Sequence, residues 1–389
     1  MKEYLLIDAC QFGPNYNYCL LEALAHKGEK VVFATTEFAY DRVPDPPDVK
    51  VFKCFFFLTR FFKGLASSRN ARRFLRAIEY PVNLCFLLVY VLVRRIKIVN
   101  FIWVVSPQLD YLVIKILQFM GRKVVYTAHN SFPHEQGDKQ INSFVRIYRA
   151  VDHIITLTEY TKRDITNHVE IRDAKITVIP HGDYASLFSR YKIHDNLIVK
   201  VREKAAGRKV IAFMGLIRPY KGLDVFIEAI GLIKIKMPNS FCLIAGNPLI
   251  ADKDKLQSCL KTLVEKNDLW VDIRFLPNED LKTYLSVIDV LVQPYLSASQ
   301  SGNTVMAYSA GIPVISTNVG GLAEMTEDDV TGYIVPPGNA AAIAEAVGKC
   351  FEGNNYQRLS DNARKTAIEK YGWSKIADQT LNVYRKLEK

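Results

Sequence analysis

Apolar runs of strand length recur through this chain, and stretches with helical spacing separate most of them. YLLID, KVVFATT, IVNFIWVV, RKVVYTAHN, HIITLT and ITVIPHG lie in the first half, and KVIAFMG, SFCLIAG, VDIRFLP, VIDVLVQPY, IPVIST and GYIVPP in the second. The runs are continuous rather than alternating, as in strands covered on both faces of a parallel sheet. LDVFIEAIGLIKIKM and AAAIAEAVGKCFEG are typical of the helices between them. This is an α/β pattern with right-handed crossovers. With 389 residues, 49% of them hydrophobic, the chain can build two cores. The charged stretch SRYKIHDNLIVKVREKAAGR breaks the rhythm and reads as an interdomain linker. The expectation is two doubly wound, Rossmann-like domains facing across a cleft. They cover 1–185 and 209–370, with a linker over 186–208 and a C-terminal helix over 371–389 for which a return to the first domain is one path.

Ligands of such sheets bind at the carboxyl ends of the strands, so the loops there matter most. Gly215–Gly222, GLIRPYKG, joins a strand to an amphipathic helix. Arg218 and Lys221 beside a helix start suit a diphosphate, the first by bidentate bonds and the second as a point charge; a solvated basic turn is the plainer alternative. SASQSG follows the strand VLVQPY and opens the helix NTVMAYSAG. Ser299, Gln300, Ser301, Gly302 and Asn303 thus lie at a helix start, where N–H groups and the dipole favour an anion. Gly302 permits close approach, and simple capping by Ser301 is the alternative. His129 and Asn130 end a strand on the ligand side, and His134 follows in a PHE turn, where it could orient an acceptor. His181 and Gly182 end the last strand before the linker, where they suit either the site or the turn into the hinge. The loop ACQFGPNYN brings Gly13 and Asn15 to the same edge.

The ordered set GLIRPYKG, SASQSG, AGIPVIST, NVGGLAE and DDVTGYIVPPGN, preceded by TAHNSFPHE and IPHGDY, resembles glycosyltransferase family 4 with the GT-B architecture. The resemblance covers the second half and continues into the first. It implies a retaining transferase in which Arg218 and Lys221 grip the donor diphosphate, His129 lies beside the donor sugar, and the loop at Gly13 approaches the diphosphate and acceptor. Gly215 falls in the same donor loop. The family's two glutamates, seven residues apart between them, map onto Ala298 and Met306, so both carboxylates are missing. A subset of the family similar to this chain carries SQSG here. The base pocket maps near Gly246–Asn247 and Pro277–Glu279. Gly320 and Gly321 map near the base or sugar, and Glu324 maps outside the chemistry.

The net charge of +11 is uneven. Between Lys53 and Lys97, ten Lys or Arg face one acid, Glu79, and phenylalanines interleave with them. The apolar run Leu84–Val93 has ten residues, too few to span a bilayer, which takes about twenty. A cationic aromatic insert over about 53–97 suits an anionic membrane interface, or else an ordinary core helix pair with a solvated basic face. No nucleic-acid motif occurs. The seven cysteines are scattered without a CxxC, which argues against a metal cluster or disulfide framework. The start, MKEYLLIDAC, has no usable signal peptide.

These features point to a retaining hexosyltransferase moving sugar from a UDP- or GDP-sugar to a lipid-linked or growing glycan acceptor. The expectation includes no metal, no cofactor, no nucleic acid, and a cytoplasmic place on the inner face of the cell membrane, in surface polysaccharide assembly. Two readings compete with it. One is a pseudoenzyme that binds nucleotide sugars as a partner subunit. The other is a basic membrane adaptor with no nucleotide site.

Overall fold

A computed structural model describes residues 3–389 apart from 39, 42, 62–67, 133–137, 250–255, 257, 259, 262–263 and 265–268. Among the described residues, thirteen strands form two parallel sheets. The first comprises β1 (Glu3–Asp8), β2 (Lys30–Thr35), β3 (Lys50–Phe52), β4 (Ile98–Phe101), β5 (Lys123–Ala128), β6 (His153–Thr156) and β7 (Ile176–Val178), in spatial order β3-β2-β1-β4-β5-β6-β7. The second comprises β8 (Lys209–Met214), β9 (Ser240–Ala245), β10 (Leu269–Asp272), β11 (Val290–Gln293), β12 (Val314–Thr317) and β13 (Gly332–Val335), in order β10-β9-β8-β11-β12-β13. Both are Rossmann-like, as expected. The central strands β1 and β8 are buried over nearly their whole lengths, which is why their sequences run apolar without alternation.

The chain divides into two compact units: Met1–Gly182 with Trp373–Lys389, and Asp183–Gly372. The charged stretch read as a linker carries two helices, Ala185–Ser189 and Asp195–Ala205, in the second unit. Its apolar residues are few but well spaced: Leu197, Val201 and Ala205 are buried on one face at helical intervals. The last helix, Trp373–Leu387, belongs to the first unit. Asn100 donates to the Tyr384 hydroxyl at 2.8 Å, and Lys27 pairs with Asp378 at 2.7 Å. Gly182 lies so close to Trp373 that a Cβ would sit 2.2 Å from the indole.

The basic insert folds as a short helix, Phe57–Phe61, and a helix of 25 residues, Arg69–Val93. The long helix exceeds the ten-residue run noted in the sequence, because its first half interleaves apolar residues with arginines. Its stretch Asn70–Val93 is long and apolar enough to cross a membrane by length and composition. Yet Tyr80, Leu84, Leu87 and Val91 are buried in the first unit's core, and the Tyr80 hydroxyl donates to Asp110 at 2.5 Å. It is therefore a layer of the domain that keeps a second apolar face, with Ile78, Val82, Phe86 and Val89 exposed. The Glu79 carboxylate accepts the N–H groups of Leu58 and Thr59 and the Thr59 hydroxyl, fastening the short helix to the long one.

Candidate functional site

In the second unit the two loops singled out by sequence meet. They follow β8 and β11, which are neighbours in the sheet. Gly215, at φ +123, ends β8 where only glycine fits: a Cβ would lie 2.4 Å from the Asn303 amide nitrogen. That amide donates to the Met214 carbonyl at 2.6 Å, tying the start of the helix Gly302–Ser309 to the end of β8. Gly246 passes as closely, its would-be Cβ 1.7 Å from the Gly215 carbonyl oxygen. Farther along the cationic loop, the Tyr220 carbonyl accepts the Leu296 N–H at 2.7 Å. Gly222, at φ +65, packs against the Pro294 carbonyl. Lys221 Nζ donates to the Tyr295 hydroxyl at 2.8 Å and stands 4.1 Å from that ring's centroid. Arg218 precedes it in the same loop and is half-buried.

The polar turn is partly committed to structure. Ser301 accepts from Gln293 Nε2 at 2.9 Å, Thr304 donates to Gln293 Oε1 at 2.7 Å, and the Ser301 N–H points to the Met325 sulfur at 3.2 Å. Ser299 and Ser301 are buried. Gly302 and Asn303, in the first helical turn, keep N–H groups for which an α-helix supplies no partner. Gln300 holds a buried Oε1 with no hydrogen-bond partner. The Ser301 oxygen thus serves the fold as an acceptor from Gln293. The sequence reading missed Gln293; its one signal was a lone amide in the apolar run VLVQPY.

Where the family's carboxylates would stand, the chain is apolar. Ala298 packs with Tyr295, Leu322 and Val319, and its carbonyl accepts the Gly321 N–H at 3.0 Å. Met306 is 5% exposed on the helix Gly302–Ser309.

In the first unit, β1, β4 and β5 are adjacent, so the residues at their ends form a second cluster. His129 stacks on Trp103, with centroids 4.4 Å apart and planes 7° apart, and takes the edge of Tyr16 at 4.7 Å. Burial, with His181 nearby, lowers its pKa to about 3, so the imidazole is neutral at physiological pH. Its Nε2 has no hydrogen-bond partner, nor has Trp103 Nε1. Asp8 is buried at the end of β1 and accepts from Asn17 Nδ2 at 2.7 Å and from the Gly13 N–H at 3.4 Å. Desolvation raises its pKa to about 6 even against those bonds. Its Oδ1 is unpartnered, as are Gln11 Oε1 and Asn17 Oδ1. Buried polar atoms without partners are rare in folded proteins, and here several of them fall in one cluster. Gly13 and Asn15 border it at the start of the helix Pro14–His26. Asn130 is half-buried, its carbonyl accepting from Tyr148 at 3.4 Å. His134 lies outside the described residues. His181 gives Nδ1 to the Gly182 carbonyl at 2.7 Å and is also held neutral by burial, near pKa 4. Among the described residues no group of three His, Cys, Asp or Glu could hold a metal ion.

Two family models match this chain. "Glycosyltransferase Family 4" covers residues 14–182 and "Glycosyl transferases group 1" covers 195–366. A Methanocaldococcus jannaschii protein, "Uncharacterized glycosyltransferase MJ1607", is 28% identical over 60% of this chain and 59% of its own length. The MMP alpha-(1->4)-mannosyltransferase of Mycolicibacterium hassiacum is 23% identical over 62% of this chain and 56% of its own. The chain thus spans less than three-fifths of the length of these two relatives. Among solved structures, a Rickettsia africae glycosyltransferase superposes with TM-score 0.74 at 17% identity, covering 100% of this chain and 99% of that one. Anabaena HepE in complex with UDP-glucose gives 0.70 at 15%, covering 99% and 100%.

Proposed function

From the two family models that match the two halves of this chain we propose that it is a family 4 glycosyltransferase of GT-B fold, and that it transfers a hexose, with retention, from a nucleotide-diphosphate sugar to a lipid-linked acceptor. The observation that carries the proposal is the meeting of the Arg218–Lys221 loop with the Gly302–Asn303 helix start at the ends of β8 and β11. Cations and the N–H groups of a helix start at one place suit a pyrophosphate, whose charge grows as it leaves. With the cations present, a metal is not required to hold it. Nothing at Ala298 offers a carboxylate nucleophile, so the leaving phosphate itself takes the acceptor's proton in a front-face route. The unpartnered Nε2 of His129 serves as a neutral hydrogen-bond partner for a sugar hydroxyl, not as a charged acid.

The exposed apolar face of the helix Arg69–Val93, flanked by Arg72, Arg73 and Arg76, supports contact with an anionic bilayer on the cytoplasmic side. Such contact fits assembly of a surface polysaccharide or glycoconjugate.

A thermal-shift screen with uridine and guanosine diphosphates and their sugars tests the donor half. A ligand that binds only the native state raises the melting temperature by mass action. The HepE complexes with UDP and with UDP-glucose are the reason uridine heads the screen. No shift with any nucleotide, for folded protein, would leave the membrane-adaptor reading; a shift without turnover would leave the pseudoenzyme.

A further inference from the structure

The long helix of the first unit lines a groove of about 710 Å³. One wall is a single stripe along that helix: Leu75, Ile78, Val82, Phe86, Val89 and Val93. These positions recur at three- and four-residue intervals, so the stripe is continuous. From Leu75 to Val93 it runs roughly 27 Å at the α-helical rise. The opposite wall comes from Phe52, Phe57 and Leu58. Two polar side chains of the lining are engaged: Glu79 holds the short helix, and Asn83 Oδ1 accepts the Phe56 N–H at 3.0 Å; the Tyr90 hydroxyl, also in the lining, has no hydrogen-bond partner. The groove is thus an extended, mainly apolar trough. Its outer lip stays open, with Phe86 63% and Val93 73% exposed.

The two ends differ in helix polarity. At the far end Arg94 is tied to Glu3 by two bonds, at 2.9 and 3.1 Å, and Arg95 and Lys97 are exposed beyond it. At the near end Arg72, Arg73 and Arg76 are exposed on the first turns of the helix. Arg72 and Arg73 form no salt bridge within the described residues, and Arg76 lies 5.2 Å from the Phe56 ring centroid. The end that begins the helix is also the positive end of its dipole. A trough that is apolar along its length, with three arginines on the turns at the positive end of the helix dipole, matches a hydrocarbon chain carrying a phosphate. A peptide helix would find no polar rim along this trough, and a flat bilayer surface needs no trough.

We infer that this groove holds the hydrocarbon chain of a single anionic lipid, its phosphate at Arg72, Arg73 and Arg76 and its tail running toward Val93. Naming that lipid as the sugar acceptor rests on the transferase reading above; the binding itself does not. The chemistry fits an alkyl or an isoprenoid phosphate, and the experiment separates them.

Full-length protein is titrated with hexadecyl phosphate, geranylgeranyl phosphate and hexadecanol, each bearing a photoreactive tail group and kept below micelle formation. Labelled peptides are then mapped by mass spectrometry. The expected result is saturation at one lipid per chain, with label on Val82, Phe86 or Val89. Retention of the alcohol should be at least tenfold weaker. Whichever phosphate binds identifies the chain type. Val82→Trp fills the trough from an exposed position and should weaken labelling more than tenfold, and Arg72→Gln with Arg73→Gln should cut phosphate binding while sparing the alcohol. Labelling that never saturates, that ignores Val82→Trp, that does not distinguish phosphate from alcohol, or that is replaced by cross-links between two copies of the chain at this face would overturn the inference. The thermal shift with uridine and guanosine diphosphates, read on the same samples, keeps the cases apart. A shift without lipid saturation refutes the groove alone, and saturation without a shift refutes the transferase reading alone.

Discussion

The side-chain amide of Asn303 donates a 2.6 Å hydrogen bond to the Met214 carbonyl, fixing the first turn of one helix against the end of a neighbouring strand. Two backbone segments far apart in sequence are thereby held at a set spacing, with a cationic loop on one and the first N–H groups of a helix on the other. Asn303→Ala removes that link and should cost about 1 kcal/mol of stability, the ordinary net value of one hydrogen bond. Affinity for the nucleotide diphosphate should fall further, about tenfold, because the two halves of the anion site lose their register. Urea denaturation and calorimetric titration of the same variant measure the two effects.

Gly215→Ala meets the same contact from the other side. The new Cβ would lie 2.4 Å from the Asn303 nitrogen at a φ of +123, which L residues rarely adopt. A loss of roughly 1–3 kcal/mol from backbone strain is expected, with nucleotide binding weakened in parallel. A melting temperature equal to that of the parent protein would refute this account of the turn.

Restoring the family's carboxylate should not help. Ala298 packs with Tyr295, Leu322 and Val319, so Ala298→Glu buries a charge in a mainly apolar shell whose one hydroxyl, on Tyr295, already accepts from Lys221. Stability should drop by about 2 kcal/mol or more, and steady-state transfer should fall rather than rise. A gain in turnover with stability unchanged would show that the missing glutamate had left a usable place.

Much of this was legible from the chain before folding. Continuous apolar runs marked twelve strands because parallel strands are buried on both faces and carry no polar alternation to confuse them. KVF escaped notice because three residues at a sheet edge show no period. Arg218, Lys221 and Gly302 could be placed at loop ends from local order alone. The Asp8 and Trp103 parts of the first-unit cluster could not, since only the sheet order β1-β4-β5 brings them beside His129. Met325, whose sulfur takes the Ser301 N–H, is a partner no local pattern announces. The long helix was half-hidden because its arginines and apolar residues alternate through the first three turns.

Acid should destabilise the protein, and the sign follows from the buried histidines. His129 and His181 are neutral in the fold, with pKa values lowered to about 3 and about 4 by burial. Their stabilising share is complete above the unfolded value near 6.5 and is lost as pH falls toward those lowered values. His153, lowered to about 4, adds to this. Asp8 and Asp110, raised to about 6 by burial, oppose it above the ordinary carboxylate range, as does Asp183, which burial also raises. The histidine shifts are the larger and begin nearer neutrality, which leaves a net loss below about pH 6.5. The urea midpoint should be lower at pH 5 than at pH 7, and His129→Gln should make that dependence shallower. A midpoint independent of pH would show that these imidazoles are not held neutral.

Chelation should leave transfer unchanged if Arg218 and Lys221 meet the diphosphate charge. Activity retained in EDTA is the expected outcome; loss on chelation with recovery on adding Mg²⁺ or Mn²⁺ would assign that task to a metal.

The account turns on the anion site at the ends of β8 and β11. Calorimetric titration of uridine and guanosine diphosphates into the parent protein and into the Arg218→Ala, Lys221→Ala double variant addresses it directly. The predicted result is one saturable site in the parent, weakened at least a hundredfold in a variant that still melts cooperatively. Equal binding by both proteins, or binding by neither, would contradict it.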